Sequence, residues 1–558
     1  MKEVTQLNLG SWFKLPNPGL RAYFLHTVHG SSEIVRCPFW DGEDPAKIVD
    51  RWSDALLGYH VDSKMPGLEA FELEMRGKIG PLSVQLPLKE RLESIEQYYT
   101  AIDKPREPID DRAVKSFCGT LTPVKGIRLR TQQATVEQMR KSTNSGAPYF
   151  TKRRLVVSDT IPSHVWQDRE DTFISMPKWK GRTTAILGWR GQEGGPELKD
   201  VKQRVIFMFP FAVNVAELMF YQPAIEAWQK RHINSAYESM RAVEMKITKL
   251  FDTKGDNYCV VTDFSKFDQH FNSALQNAAR DCILYMGSQM PTHNTHTKGI
   301  ICSVQEWVDS VFPIKYNIPL LCSEDLMYTG PHGMGSGSGG TNFDECCAHG
   351  CMQHEVAILH GATLNPYSNA YGDDGYLSYE GIDVDDVIST YMSHGMEMNP
   401  SKQSVDKHSA VYLRRYFHDS YRDSSGIMLG VYSTFRALGR LLYQERYYDP
   451  EVWSKEMVIL RALSILENCA NSPIFTQFVD FVEKGDKYRL GLAIPGFLDR
   501  LKASAKEANE MIPDFLGYTK TLQGDNMSGI ENWRVVKYLK SKRSEERRVG
   551  KECRSRWS

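Results

Sequence analysis

Apolar residues run through this chain in short stretches whose spacing changes from one stretch to the next. Tyr258-Cys-Val-Val-Thr262 is apolar and β-branched, and predicts a strand that delivers Asp263 at its C-terminal end. Tyr376-Leu-Ser-Tyr379 alternates and predicts a second strand, entered through the turn Gly372-Asp373-Asp374-Gly375, whose glycines permit the positive φ of a tight hairpin. From Phe343 to about Leu359 the pattern predicts a helix, directly after the tract Gly333-Met-Gly-Ser336-Gly337-Ser-Gly-Gly-Thr341-Asn342. Phe475, Phe478, Val479 and Val482 recur at helical spacing and mark a core stripe. The most apolar stretch, Val205 to Phe220, is broken by Pro210, Asn214 and Glu217, so it reads as buried structure and not as a membrane span.

The candidate chemistry lies at the ends of these elements. Adjacent carboxylates repel unless something binds them, and hard oxygen donors suit magnesium, which keeps several waters and borrows ligands from phosphates. Asp263, followed by Asp268, brings acids from one strand to meet Asp373 and Asp374 from another. Such a set can hold two divalent cations about 4 Å apart for in-line phosphoryl transfer. Taken alone, Gly-Asp-Asp-Gly also fits a solvated turn, Asp263 a helix N-cap and Asp268 a solvated helix face. The glycine-rich tract offers backbone N–H groups and hydroxyls at a helix start, suited to phosphate or ribose. It lacks the Gly-Lys-Ser/Thr ending of a P-loop, which disfavours nucleotide hydrolysis of that type.

The order Asp263-x4-Asp268, Ser336-Gly-x3-Thr341-Asn342, Gly372-Asp373-Asp374 resembles motifs A, B and C of viral RNA-dependent RNA polymerases. Asn144-Ser145-Gly146-Ala147-Pro148 resembles motif G, Lys202-x-Arg204-x-Ile206 motif F, Gly395-Met396 with Asn399-Pro-Ser-Lys402 motif D, and Tyr412-Leu-Arg414-Arg-Tyr-Phe417 motif E. Leu15-Pro-Asn-Pro-Gly-Leu-Arg-Ala-Tyr-Phe24 and Val431-Tyr-Ser-Thr-Phe-Arg436-Ala-Leu-Gly-Arg440 are similar to picobirnavirus polymerases, and the resemblance spans roughly residues 15 to 540. Many polymerases carry an asparagine four residues after the motif B threonine, where this chain has Glu345.

The resemblance implies an α+β right hand of fingers, palm and thumb, with an antiparallel palm sheet carrying the catalytic acids and an N-terminal bridge from fingers to thumb. On that pattern residues 1–130 form the bridge, 131–250 the fingers, 251–420 the palm with a finger insertion at about 276–322, and 421–542 a helical thumb. The implied activity is synthesis of RNA on an RNA template, transcribing and replicating a double-stranded RNA genome. Asp263 and Asp373 would ligate two Mg2+ ions, with Mn2+ a substitute, and Asp374 would assist. Asp268, Ser336, Gly337, Thr341 and Asn342 would bind the ribonucleotide and sense its 2′-hydroxyl. Lys202 and Arg204 would neutralise the triphosphate, and Lys402 would protonate the pyrophosphate leaving group. Ser145, Gly146, Pro148, Arg182 and Arg414 would contact template and nascent RNA. The implied protein is a monomer with no membrane contact, working in the virion interior and host cytoplasm, with the capsid protein a further partner.

Charge and composition refine this picture. With 41% hydrophobic and 25% charged residues the chain is an ordinary soluble protein, and its 558 residues exceed one typical core. A formal net charge of −1 is not the signature of a generic nucleic-acid coat, so RNA contact must come from local basic lining; the candidates are Lys152-Arg153-Arg154, Lys178-Trp179-Lys180-Gly-Arg182 and Arg436 with Arg440, each of which also reads as a solvated face. The eleven cysteines contain no Cys-x2-Cys pair, which argues against a zinc ribbon or a disulfide scaffold. Cys346, Cys347, His349, Cys351 and His354 form a metal-like knot, read as core thiols. The last residues, Arg543 to Ser558, resemble the translated read-through of a sequencing adapter, and their six basic against three acidic residues are set aside from the RNA-binding argument. A reverse transcriptase, a catalytically dead RNA-binding homologue and an unrelated phosphotransferase are disfavoured, because Asp268, the Ser-Gly-x3-Thr-Asn tract, all three acids and the ordered motifs are present together.

Overall fold

The computed structural model describes residues 4–5, 19–38, 40, 42–290, 303–447, 453–511 and 527–555. Residues 15–18 of the first picobirnavirus-like segment, 291–302 of the expected insertion and 556–558 of the tail lie outside the described residues.

The elements mix helices with antiparallel sheets, as an α+β protein does. The central sheet has four strands in the order Asn369–Tyr371, Asp374–Leu377, Cys259–Thr262, Ser404–Asp406, and every pairing is antiparallel. The Cys259–Thr262 strand is buried at all four positions because it is covered on both faces, which is why its sequence is continuously apolar where an edge strand alternates. On one face Val260 and Leu377 join a core built with the Thr341–Leu359, Ser273–Met286 and Phe211–Lys230 helices. On the other, Cys259, Val261 and Tyr376 pack with Val243, Ile247 and Leu250 of the Met240–Thr253 helix and with Tyr412 and Phe417.

Pro210 divides the apolar stretch that begins at Val205. Before it runs the Lys202–Met208 strand, and immediately after it the Phe211–Lys230 helix, because proline lacks the N–H a ladder needs but suits a helix start. The Lys202–Met208 strand forms a long hairpin with Ala185–Gln192, in a five-stranded sheet that also takes in Leu320–Leu321, Met327–Tyr328 and Val4–Thr5.

A second large core joins distant parts of the chain. Trp52, Leu56, Leu68 and Phe71 from the Pro45–Gly58 and Leu68–Arg76 helices pack with Leu438, Leu441, Leu463 and Phe478 of the C-terminal helices. Trp52 Nε1 donates to the Thr434 hydroxyl at 2.9 Å, and buried Glu72 accepts from the Ser433 hydroxyl and the Thr434 N–H. The expected stripe lies on the Phe475–Gly485 helix with Phe475, Phe478, Val479 and Val482 all buried. The Arg534–Ser555 helix runs into the adapter-like tail, where Arg543 pairs with Asp499 at 2.8 Å.

Candidate active site

The three candidate metal ligands meet at one end of the central sheet. Asp263 leaves the Cys259–Thr262 strand directly, and Asp373 and Asp374 sit beside it at the neighbouring hairpin, where Tyr371 pairs with Asp374. That register leaves Gly372 and Asp373 as a two-residue turn, so the strand begins at Asp374, two residues before the predicted Tyr376. Gly372 adopts φ 66°, as the sequence predicts. Gly375 is a glycine for a different reason: it lies within the strand, where a Cβ would come 2.5 Å from His349 Cε1. His349 is fully buried under the turn and its ring Nδ1 hydrogen-bonds the Gly372 carbonyl at 2.9 Å, tying the acid-bearing turn to the Thr341–Leu359 helix. Burial pushes its imidazole down to about 4, so it is neutral and Nδ1–H donates.

Hydrogen bonds position Asp263 and Asp374. The Asp263 N–H donates to Gln403 Oε1 at 2.8 Å, and Gln403 Nε2 donates back to the Asp263 carbonyl at 2.9 Å. Asp374 Oδ2 accepts the Leu413 N–H at 2.7 Å. Leu413 and Arg414 are the two-residue turn between Ser409–Tyr412 and Arg415–His418, both at positive φ, and that turn aims the N–H at the acid. Burial raises the carboxyl of Asp374 to about 7, with Asp373 and Asp263 adding to the rise and the Leu413 N–H and Arg414 opposing it. Asp263 and Asp373 are also raised, foremost by loss of water; Lys402 and Lys78 oppose this at Asp263, while Asp268 reinforces it at Asp373 and Arg204 opposes it. Among the described residues no three His, Cys, Asp or Glu side chains are gathered tightly enough to grip an ion by themselves. Crowded hard-oxygen donors whose charge is unfavourable until a cation arrives fit a divalent site completed by waters and phosphates.

The surrounding groups come from the other predicted segments. Asp268 lies in the short Phe267–His270 helix, whose N-cap is Lys266, not Asp263. Its carbonyl accepts the Met334 N–H at 2.7 Å, which joins the acid-bearing loop to the glycine-rich tract. Desolvation works against the Arg204 guanidinium, but Asp268 and Asp373 hold its pKa above the usual value, while Lys202 lies two residues along the same strand and is exposed. A Cβ on Gly337 would overlap the Phe207 carbonyl, so only glycine lets the tract lie on that strand. The Ser336 hydroxyl donates to the Val205 carbonyl at 3.2 Å and the Thr341 hydroxyl to the Gly335 carbonyl at 3.2 Å, leaving both oxygens with lone pairs to accept. Asn342 Oδ1 accepts from Tyr237 Oη at 2.7 Å. Glu345, the residue that stands where many polymerases have asparagine, is buried, and its carboxyl is pushed well up, first by desolvation and then by Asp268 and Asp373.

A profile of viral RNA-dependent RNA polymerases matches residues 84–428. A potential RNA-dependent RNA polymerase of human picobirnavirus (strain Human/Thailand/Hy005102/-) is 50% identical over 543 residues, covering 95% of this chain and 98% of that protein. This chain belongs to the picobirnavirus RNA-dependent RNA polymerases. The crystal structure of the RNA-dependent RNA polymerase of a human picobirnavirus superposes with a TM-score of 0.88 at 48% identity, covering 96% of this chain and 100% of that one. An insertion-loop deletion mutant of such an enzyme gives 0.88 at 46% identity with the same coverage. The polymerase is therefore an RNA-directed RNA polymerase with the fold of that family.

Several polymerase segments read from sequence as RNA lining have structural duties. Ser145 is 2% exposed: its hydroxyl accepts the Thr151 N–H at 3.1 Å and its carbonyl the Phe211 N–H at 2.8 Å. Gly146 has φ 60° and packs on the Phe209 carbonyl, ahead of Pro148. Arg182 pairs with Asp171 at 3.4 Å, and Trp179, between the basic residues, packs against the large core. Arg436 and Arg440 face Glu193 at 3.2 and 3.7 Å. Cys282 Sγ lies 3.8 Å from both Cys118 and Cys351, and Cys346, Cys347 and Cys351 are fully buried core thiols. His354 bonds Ser116 at the helix surface. Gln403, Leu413, His349 and Tyr237 are not singled out as site residues by the sequence; Gln403 directly follows the motif D segment and Leu413 lies within the motif E segment.

Proposed function

We propose that this polymerase transcribes and replicates a double-stranded RNA genome by two-metal nucleotidyl transfer of ribonucleoside triphosphates on an RNA template. The observation that carries the reading is the convergence of Asp263, Asp373 and Asp374 at one end of the central sheet, with all three carboxyl groups raised by confinement and those of Asp373 and Asp374 raised further by neighbouring acids. Bound Mg2+, with Mn2+ as substitute, supplies the positive charge that activates the attacking 3′-oxygen and steadies the departing pyrophosphate.

The chain's own residues do the rest. Asp263 and Asp373 would hold the cations, and Asp374, directed by the Leu413 N–H, would serve as a weaker or outer ligand. Arg204, whose charge faces Asp268 and Asp373, neutralises the triphosphate, with Lys202 beside it. Fixed cations there cost no reorganisation as charge builds on the phosphate oxygens. Lys402, whose charge acts on Asp263, is the proton donor to the pyrophosphate. Asp268, whose carbonyl is tied to the Met334 N–H of the glycine-rich tract, accepts from the ribose 2′-hydroxyl together with Ser336, Thr341 and Asn342. Template and nascent RNA run past the loop at Gly146 and Pro148, with Arg182 and Arg414 on the phosphates.

In this reading the central sheet is the palm of a right hand, the hairpin Ala185–Gln192 with Lys202–Met208 belongs to the fingers, and the helices beyond residue 430 are the thumb. The N-terminal helices bridge fingers and thumb; support comes from the core that Trp52 and Phe71 share with Leu438 and Phe478. The enzyme acts as a monomer in the virion interior and host cytoplasm, beside the capsid protein. The test is incorporation of labelled ribonucleotides on a single-stranded RNA template with Mg2+, beside an Asp373→Ala/Asp374→Ala control and a deoxynucleotide lane. Product from deoxynucleotides, or product from the control, would sink the assignment.

A further inference from the structure

The first turns of the Phe211–Lys230 helix touch two loops at once. On one side lies the loop 143–153. The Phe211 N–H donates to the Ser145 carbonyl at 2.8 Å, and Arg153 Nη2 donates to Asn214 Oδ1 at 2.7 Å while its Nε donates to the Asn144 carbonyl at 3.3 Å. The Arg153 guanidinium also stacks over the Phe211 ring at 5.3 Å. This arginine, in a segment the sequence presents as a basic cluster, is thus turned into the protein.

On the other side lies the glycine-rich tract. Asn214 Nδ2 donates to the Gly337 carbonyl at 3.2 Å and to Glu217 Oε1 at 3.1 Å. Glu217, fully buried, accepts the Ser338 hydroxyl and the Gly339 N–H. Arginine only donates and a carbonyl only accepts, so the orientation of the Asn214 amide is set by its partners: oxygen to one loop, nitrogen to the other. Asn214 is 4% exposed, so a broken contact on either side leaves a buried polar group unpaired.

We propose that Asn214, backed by Glu217, is a positioning residue that couples the loop 143–153 to the tract 335–340, so that seating of the template and acceptance of the ribonucleotide are set together. The inference rests on the reading above, which gives those loops to RNA and to the nucleotide. A template that shifts the first loop pulls on Arg153 and, through one amide, on the Gly337 carbonyl next to Ser336. Asn214 transmits such a shift because, buried itself, it has no water to replace a lost partner.

The test is single-nucleotide extension of a primed RNA template by the full chain, reading kcat, nucleotide KM and template Kd for Arg153→Met, Asn214→Leu and the double variant. Arg153→Met, although it belongs to the template-side loop, is expected to raise nucleotide KM about fivefold, and Asn214→Leu about tenfold together with template Kd. The double variant is expected to add less than twofold to nucleotide KM over Asn214→Leu, since the route is already cut. A merely structural role lowers melting temperature and apparent kcat through the active fraction and leaves KM in place; that result overturns the coupling. So do effects that multiply in the double variant. Failure of the wild-type chain to extend the primer overturns the polymerase reading itself, and the coupling with it.

Discussion

Gln403 offers the sharpest test of how the acids are held. Its amide grips the Asp263 backbone from both directions, at 2.8 and 2.9 Å, and also donates to the Asn399 carbonyl at 3.0 Å. Gln403→Leu keeps the bulk and removes these bonds. At about 1 kcal/mol for each of the two bonds to Asp263, the acid's placement loses ~2 kcal/mol. If that loss falls on the transition state, kcat drops about 30-fold, since ~1.4 kcal/mol is a factor of ten. The assay is extension of a primed RNA template at saturating ribonucleotide, with template affinity measured in parallel. Template affinity should stay within about twofold, because the Gln403 amide bonds Asp263 and Asn399 and not the loops proposed to carry RNA. Raising Mg2+ should recover part of the rate, since a misplaced ligand weakens cation binding, whereas a folding defect would not respond. A kcat within about threefold of wild type would refute the clamp.

Asp263→Asn and Asp373→Asn should each lower synthesis by at least about a thousandfold while RNA affinity, measured by filter binding, changes little, because phosphate contacts supply most of it. The Asp374 carboxyl near 7 makes a linkage prediction for the metal-free chain. Between the ordinary carboxylate range and about 7 the folded state binds the extra proton, so stability falls as pH rises through that window, and Mg2+ should raise the melting temperature more at pH 8 than at pH 6. Asp374→Asn should remove much of that difference. Glu345→Gln keeps the bulk and polarity of the buried side chain beside Asp268 and should preserve the preference for ribonucleotides, whereas Glu345→Ala should relax it in a mixed-nucleotide competition. Gly375→Ala drives a methyl into the His349 ring and should cost ~1–3 kcal/mol in thermal or urea melts. Gly58→Ala, with nothing within 4 Å of the added Cβ, is the neutral control.

The elements that were legible are those whose cause is local. The apolar run ending at Asp263, the tract before Thr341 and the stripe at Phe475 all became the expected strand, helix start and buried face. Errors arose where one residue type has two physical uses. Gly375 was read as a source of positive φ and is there to admit the His349 ring. Arg153 belongs to a segment that reads as candidate RNA lining and is a half-buried link to Asn214. Arg436, grouped with surface cations, lies against Glu193.

The sequence by itself determined the class of chemistry, because a phosphoryl-transfer site needs carboxylates, cations and glycine-permitted turns in a restricted order, and those requirements are written in residue types. Only the tertiary structure decided which atoms hold those residues in place. Gln403 meets Asp263 across 140 positions, Leu413 meets Asp374 across 39, and Gly337 meets Asn214 across 123. A hydrogen bond exists only when two atoms come within about 3 Å at a usable angle. Spacing along a chain does not set that distance; the packing of the sheet between its two cores does.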